Sequence, residues 1–145
     1  MTRRALPLLF LLLIASAGSA RAQEPELERV LDRLADFWAR GNAQGVATLV
    51  AEAGLSLEID GAAIGPLHRR QAAALLRRIF DDRQTVSVRT AMAQVVGGRP
   101  RRAFGELAWV TRARGTTVPE PRVVFLALVH EEDGWRITQI RLLLP

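Results

Sequence analysis

The stretch Arg122–Leu144, RVVFLALVHEEDGWRITQIRLLL, constrains the fold more than any other part of the chain. It reads as two long β-strands joined by a short acidic turn, Glu131-Glu132-Asp133-Gly134. β-Branched and aromatic residues fill much of it, as strands favour. Apolar residues occupy both parities of its first strand: Val123, Phe125, Ala127 and Val129 on one, Val124, Leu126 and Leu128 on the other. A lone two-stranded hairpin is marginal in water. Both faces of this one need cover.

The upstream chain supplies helices for one face. Glu24–Arg40 carries Leu27, Val30, Leu31, Leu34, Phe37 and Trp38 on a single helical stripe, with Gly41 as the stop. Asn42 caps a second, short helix through Val46, Leu49 and Val50, expected to end near Gly54. Leu55, Leu57 and Ile59 alternate with Ser56, Glu58 and Asp60, a half-buried strand, and Gly61–Pro66 reads as a loop. A third helix, Arg69 to Phe80, buries Ala72, Leu75, Leu76, Ile79 and Phe80. His68 and Gln71 stand at capping-box spacing before it. Strands Gln84–Val96 and Ala103–Arg114 follow, around a turn at Gly97–Pro100. The order α-α-β-α-β-β-β-β predicts an α+β domain: N-terminal helices packed on a curved, mostly antiparallel sheet, with a pocket between them.

The first 22 residues read differently. Arg3-Arg4, the apolar run through Leu8–Ala15 and the small residues ending Ala20-Arg21-Ala22 have the form of a secretory signal peptide. Cleavage after Ala22, or alternatively after Ala20, predicts an exported domain over 23–145 with no membrane span. Of 145 residues, 123 would remain, enough for one core without staples. There is no cysteine, so neither disulfides nor a lipid attachment point is available. All 20 basic residues are Arg. Losing Arg3, Arg4 and Arg21 takes the formal charge from +5 to +2, too little for a nucleic-acid footprint. The remaining arginines read as a solvated surface.

Three local patterns then carry a resemblance. They are Phe37-Trp38-Ala39-Arg40-Gly41-Asn42 closing the first helix, Gly134-Trp135-Arg136-Ile137 opening the last strand, and the element order between them. Together they resemble the nuclear transport factor 2-like (cystatin-like) superfamily, which includes ketosteroid isomerase and scytalone dehydratase. Within it the chain is most similar to a group of small secreted bacterial proteins of unknown function. The group's marks here are His68-Arg69-Arg70-Gln71-Ala72, Ile79-Phe80 and Gly105-Glu106-Leu107. The group usually has Ser where this chain has His68, and two Phe where it has Ile79-Phe80. The resemblance implies the cone fold and, as superfamily relatives commonly do, pairing into a homodimer.

It implies no chemistry that the residues can carry through. A ketosteroid isomerase-like site needs a carboxylate base and a donor to the enolate oxygen, often Tyr, and the chain has no Tyr. Beyond residue 22 the only serines are Ser56 and Ser87, neither in a nucleophile elbow. His68 and His130 sit on different elements without metal-ligand spacing, so no metal or cofactor is expected. Glu106 shares its parity with Phe104, Ala108 and Val110; on an inner face it would be a buried acid, on an outer face a cross-strand surface charge. Trp38, Phe80, Glu106, Trp109, Phe125 and His130 are the candidate pocket residues. The expected function is a non-catalytic binding or interaction domain, whose partner is a small apolar ligand or another exported protein. The alternative is a small-molecule isomerase or hydrolyase acting in the cone. Glu106 meeting His130 or an Arg would favour the alternative.

Overall fold

The computed structural model describes residues 24–143; the stretch expected as a leader and its expected cleavage site lie outside them. The elements are α1 Glu24–Ala39, α2 Ala43–Thr48, β1 Leu55–Ile59, β2 Ala62–Leu67, α3 Arg69–Asp82, β3 Arg83–Gly97, β4 Arg102–Ala113, β5 Glu120–Glu131 and β6 Gly134–Leu143. The class is α+β. Six strands form one sheet in the order β2-β1-β6-β5-β4-β3, antiparallel except for β1 against β6.

Local chemistry sets the element ends. At the end of α1, Gly41 N donates to Trp38 O and Asn42 N to Phe37 O, the two bonds of a Schellman stop. Asn42 Oδ1 then accepts from Gly45 N at 2.9 Å and opens α2. Helix α2 is shorter than its sequence suggests. Ala51 N donates to Ile137 O and Ile137 N to Leu49 O, so the chain leaves the helix to extend the sheet beside β6. Gln71 Oε1 accepts from His68 N at 3.0 Å, closing that side of the expected box. Arg40 pairs with Asp36 one turn before it on the exposed side of α1, which raises the guanidinium pKa.

The stretch expected as the loop Gly61–Pro66 is instead β2. Asp60 and Gly61 both have positive φ, +49° and +85°, as a two-residue type I′ hairpin turn requires. That turn folds 62–67 back onto β1, so Ile64 opposes Leu57 and Leu67 opposes Leu55.

Alternation decides which face is covered. Ala103, Leu107 and Trp109 of β4, Val124, Leu126 and Leu128 of β5, and Trp135, Ile137, Ile140 and Leu142 of β6 are all buried. They form one core with Leu27, Leu31, Leu34 and Trp38 of α1 and Leu76 and Phe80 of α3. A β-bulge at Thr138 keeps β6 in phase, and Thr138 Oγ1 donates to Ala127 O at 3.2 Å. The opposite face carries Phe104, Glu106, Ala108, Val123, Phe125, Ala127 and Val129, all half-buried or exposed. No helix among the described residues is long and apolar enough to cross a membrane.

Candidate functional site

The structure divides the six candidate residues among three places. Trp38, Phe80 and Trp109 lie under the helices. Trp38 stands edge-on to both partners, with ring centroids 5.1 Å from Phe80 and 5.4 Å from Trp109. Trp109 Nε1 donates to Thr85 Oγ1 at 3.0 Å. Trp38 and Trp109 are 0% and 1% exposed, so these rings fill the cone where a ligand was expected.

Glu106 and Phe125 lie on the opposite, open face, as a register pair between β4 and β5. The cause is strand parity: Gly105 and Leu107 point at α1, so Glu106 cannot. Glu106 therefore does not share a cavity with Trp38, and it makes no side-chain hydrogen bond among the described residues. Phe125 stacks obliquely on Phe104 at 5.5 Å, and Arg141 lies over the Phe125 ring at 5.9 Å while pairing with Glu58 at 3.1 Å.

His130 is on the rim at the closing hairpin. Its Nε2 is 3.3 Å from Glu26 Oε1, and its ring meets Trp135 edge-on at 5.0 Å. This contact ties the start of α1 to the hairpin. Among the described residues, Glu106 has neither His130 nor an Arg at hydrogen-bond distance. No group of three metal-ligating side chains is found among the described residues.

Concave features lie elsewhere among the described residues, two of them beside the closing hairpin. An open groove of about 650 Å³ on the uncovered face is floored by Phe104, Ala127 and Val129 and walled by Ala51–Ala53 and Glu131. Glu52 N donates to Glu131 Oε1 at 3.0 Å and fixes that wall. A second cleft, about 540 Å³, collects Arg69, Arg70 and Arg136 with Glu52, Glu131 and Asp133, a balanced set of charges. Sequence reasoning placed Ala127 and Val129 on one parity of their strand, and Phe104 with Glu106 on one parity of the strand before it, but missed the wall. The wall arises from the early end of α2, which leaves no periodic signal.

It also missed Arg122. Read with the solvated arginines, it is in fact 7% exposed and shares the inward parity of Val124, Leu126 and Leu128.

No protein-family model matches the chain, and no curated protein does. Solved structures do. A DUF4783 family protein from Bacteroides uniformis superposes with a TM-score of 0.64 at 17% identity, over 78% of this chain and 94% of its own. A Nostoc punctiforme domain of unknown function with a cystatin-like fold gives 0.66 at 17% identity, over 86% and 78%. A ketosteroid isomerase-like protein from Erwinia carotovora atroseptica gives 0.67 at 14% identity, over 83% and 94%. The chain therefore has the nuclear transport factor 2-like, cystatin-like fold that its sequence resembles.

Proposed function

We propose that the protein is an exported, non-catalytic binding domain that works through the open face of its sheet, and that a second copy of the chain is its partner there. One observation carries this reading: β4 and β5 are apolar on both faces, and the helices cover only one. The uncovered row includes Phe104, 37% exposed, and the half-buried Val123, Phe125, Ala127 and Val129. Such contiguous apolar surface marks contact sites on soluble proteins. Two copies related by a two-fold axis would bury it with one self-complementary patch. The separation of Glu106 from His130, and of both from the aromatic rings, argues for binding over an isomerase or hydrolyase reaction in the cone.

Sedimentation of the Gln23–Pro145 protein across a concentration series tests the partner. The expected result is a species of twice the chain mass that dissociates on dilution. Phe104→Glu should weaken it by about tenfold or more, because a carboxylate would be buried without a partner. A single-chain mass at every concentration would sink the proposal. Export has its own check. Expressed with its leader in a bacterial host, the protein should be recovered outside the cytoplasm with Gln23 as its first residue by mass spectrometry. An intact Met1 in the cytoplasmic pool contradicts it.

A further inference from the structure

The uncovered face of the sheet carries charges in an order that complements its own copy. Strand register sets Met92, Glu106, Phe125, Arg141 and Glu58 in one row across β3, β4, β5, β6 and β1. Phe125 is the centre of that row and belongs to the apolar spine of β5, with Val123 and Ala127 beside it. The acid stands one strand to one side of the spine, the guanidinium one strand to the other. Glu106 is half-buried and has no hydrogen bond or ion pair among the described residues. Two strand spacings, about 10 Å, separate its backbone from that of Arg141 in the same chain. Arg141 turns Nε and Nη2 to Glu58 and lies over the Phe125 ring, and its Nη1 has no hydrogen-bond partner among the described residues. Covering this face with apolar atoms alone would strip water from Glu106 and leave the carboxylate unpaired, a costly arrangement.

The direction of a two-fold axis decides what Glu106 would meet. An axis that joins two such faces lies in the plane between them. With Phe125 on it, three directions differ in their electrostatics. An axis along the row, across the strands, sets Glu106 against its own copy, two like charges. An axis at 45° crosses the sheets at right angles and sets Glu106 over the apolar spine of the partner. An axis along β5 exchanges the flanking strands β4 and β6. Glu106 then faces the partner's Arg141, and the same contact occurs a second time by symmetry. Phe125 meets its copy between the two charge pairs, and the sheets stack aligned. Of the three, only this direction gives each carboxylate a cation.

We infer that the second copy docks with its two-fold axis along β5 through Phe125, so that Glu106 of each copy pairs with Arg141 of the other. The inference rests on the pairing proposed above and adds its orientation and the residues that set it. Arg141 bridges its own Glu58 and the partner's Glu106, as a guanidinium with five donors can. The apolar spine supplies contact area, and the two charge pairs fix register and exclude an apolar partner that lacks the matching cation.

Sedimentation of Gln23–Pro145 variants across a concentration series tests the inference. A parent that stays a single chain at every concentration overturns both the pairing and its orientation. With a parent that pairs, the orientation stands or falls alone. Glu106→Gln keeps the shape and removes the charge; it should raise the dimer dissociation constant about tenfold, because two charge pairs are lost at once. Glu106→Arg should raise it by about thirtyfold or more, by setting two cations face to face. Exchanging the charges in one chain, Glu106→Arg with Arg141→Glu, should restore pairing to within about threefold of the parent. Glu106→Gln pairing as tightly as the parent or more tightly overturns the orientation, since that is the outcome when Glu106 faces its own copy or solvent. An exchanged variant that pairs no better than Glu106→Arg also overturns it. Arg141→Glu loses the contact with Glu58, so a melting curve must first show that the exchanged chain folds. Where it does not, Glu106→Gln and Arg141→Gln decide, alone and together. The double variant should weaken pairing by less than the product of the two single effects, and strict multiplication of those effects overturns the inference.

Discussion

Trp38→Ala is expected to lower the unfolding free energy by about 3–5 kcal/mol, a large share of what a domain of this size holds. The residue is 0% exposed, and its ring is the common neighbour of Phe80 on α3 and Trp109 on β4. Truncation would leave a cavity bounded by three elements, none free to collapse alone. Helix α1 ends in a Schellman stop three residues later, α3 runs directly into β3, and β4 lies inside the sheet. Leu76 and Trp135 belong to the same core, so the loss should appear as one cooperative shift of the melting transition. An unchanged melting temperature would mean that the α1 stripe does not face the sheet.

That stripe was legible because its period is local. Leu27, Leu31, Leu34 and Trp38 announce one helical face from sequence alone, and all four are buried. The long strands were legible for the same reason. Hairpin β1–β2 was not, although Asp60-Gly61 is a strong type I′ signal; the residues after it, with Gly65 and Pro66, mimic a loop. The candidate site was the least legible. Alternation along β4 and β5 shows that there are two faces but not which one the helices take. That choice depends on how closely α1 approaches the sheet, a contact between residues far apart in sequence. Once it is made, Trp109 goes inward, Glu106 and Phe125 go outward, and one expected pocket becomes three places. Arg122 escaped for a related reason. The sequence presents it as one of many arginines, and only its register opposite Trp109 makes it a buried charge.

The contact that sets this choice can be tested directly. At Gly105 a side chain would place its Cβ 2.9 Å from both terminal carbons of Leu31, closer than carbon atoms pack. Leu31 is 0% exposed and its side chain has no room to swing away. The glycine therefore lets α1 lie against β4, and Leu107 two residues later fills the space beside it, which accounts for the Gly-x-Leu pattern at 105–107 in packing terms. Gly105→Val should cost about 3 kcal/mol by overpacking. Leu31→Ala alone should cost about 2–5 kcal/mol by leaving a cavity. Together, each substitution relieves the other: the valine occupies part of the space that the leucine vacates. Denaturant unfolding of the two single variants and the double variant should show a double-variant loss smaller than the sum of the single losses by about 1–3 kcal/mol. Strict additivity would show that Gly105 and Leu31 do not meet, and that some other contact holds α1 on this face of the sheet.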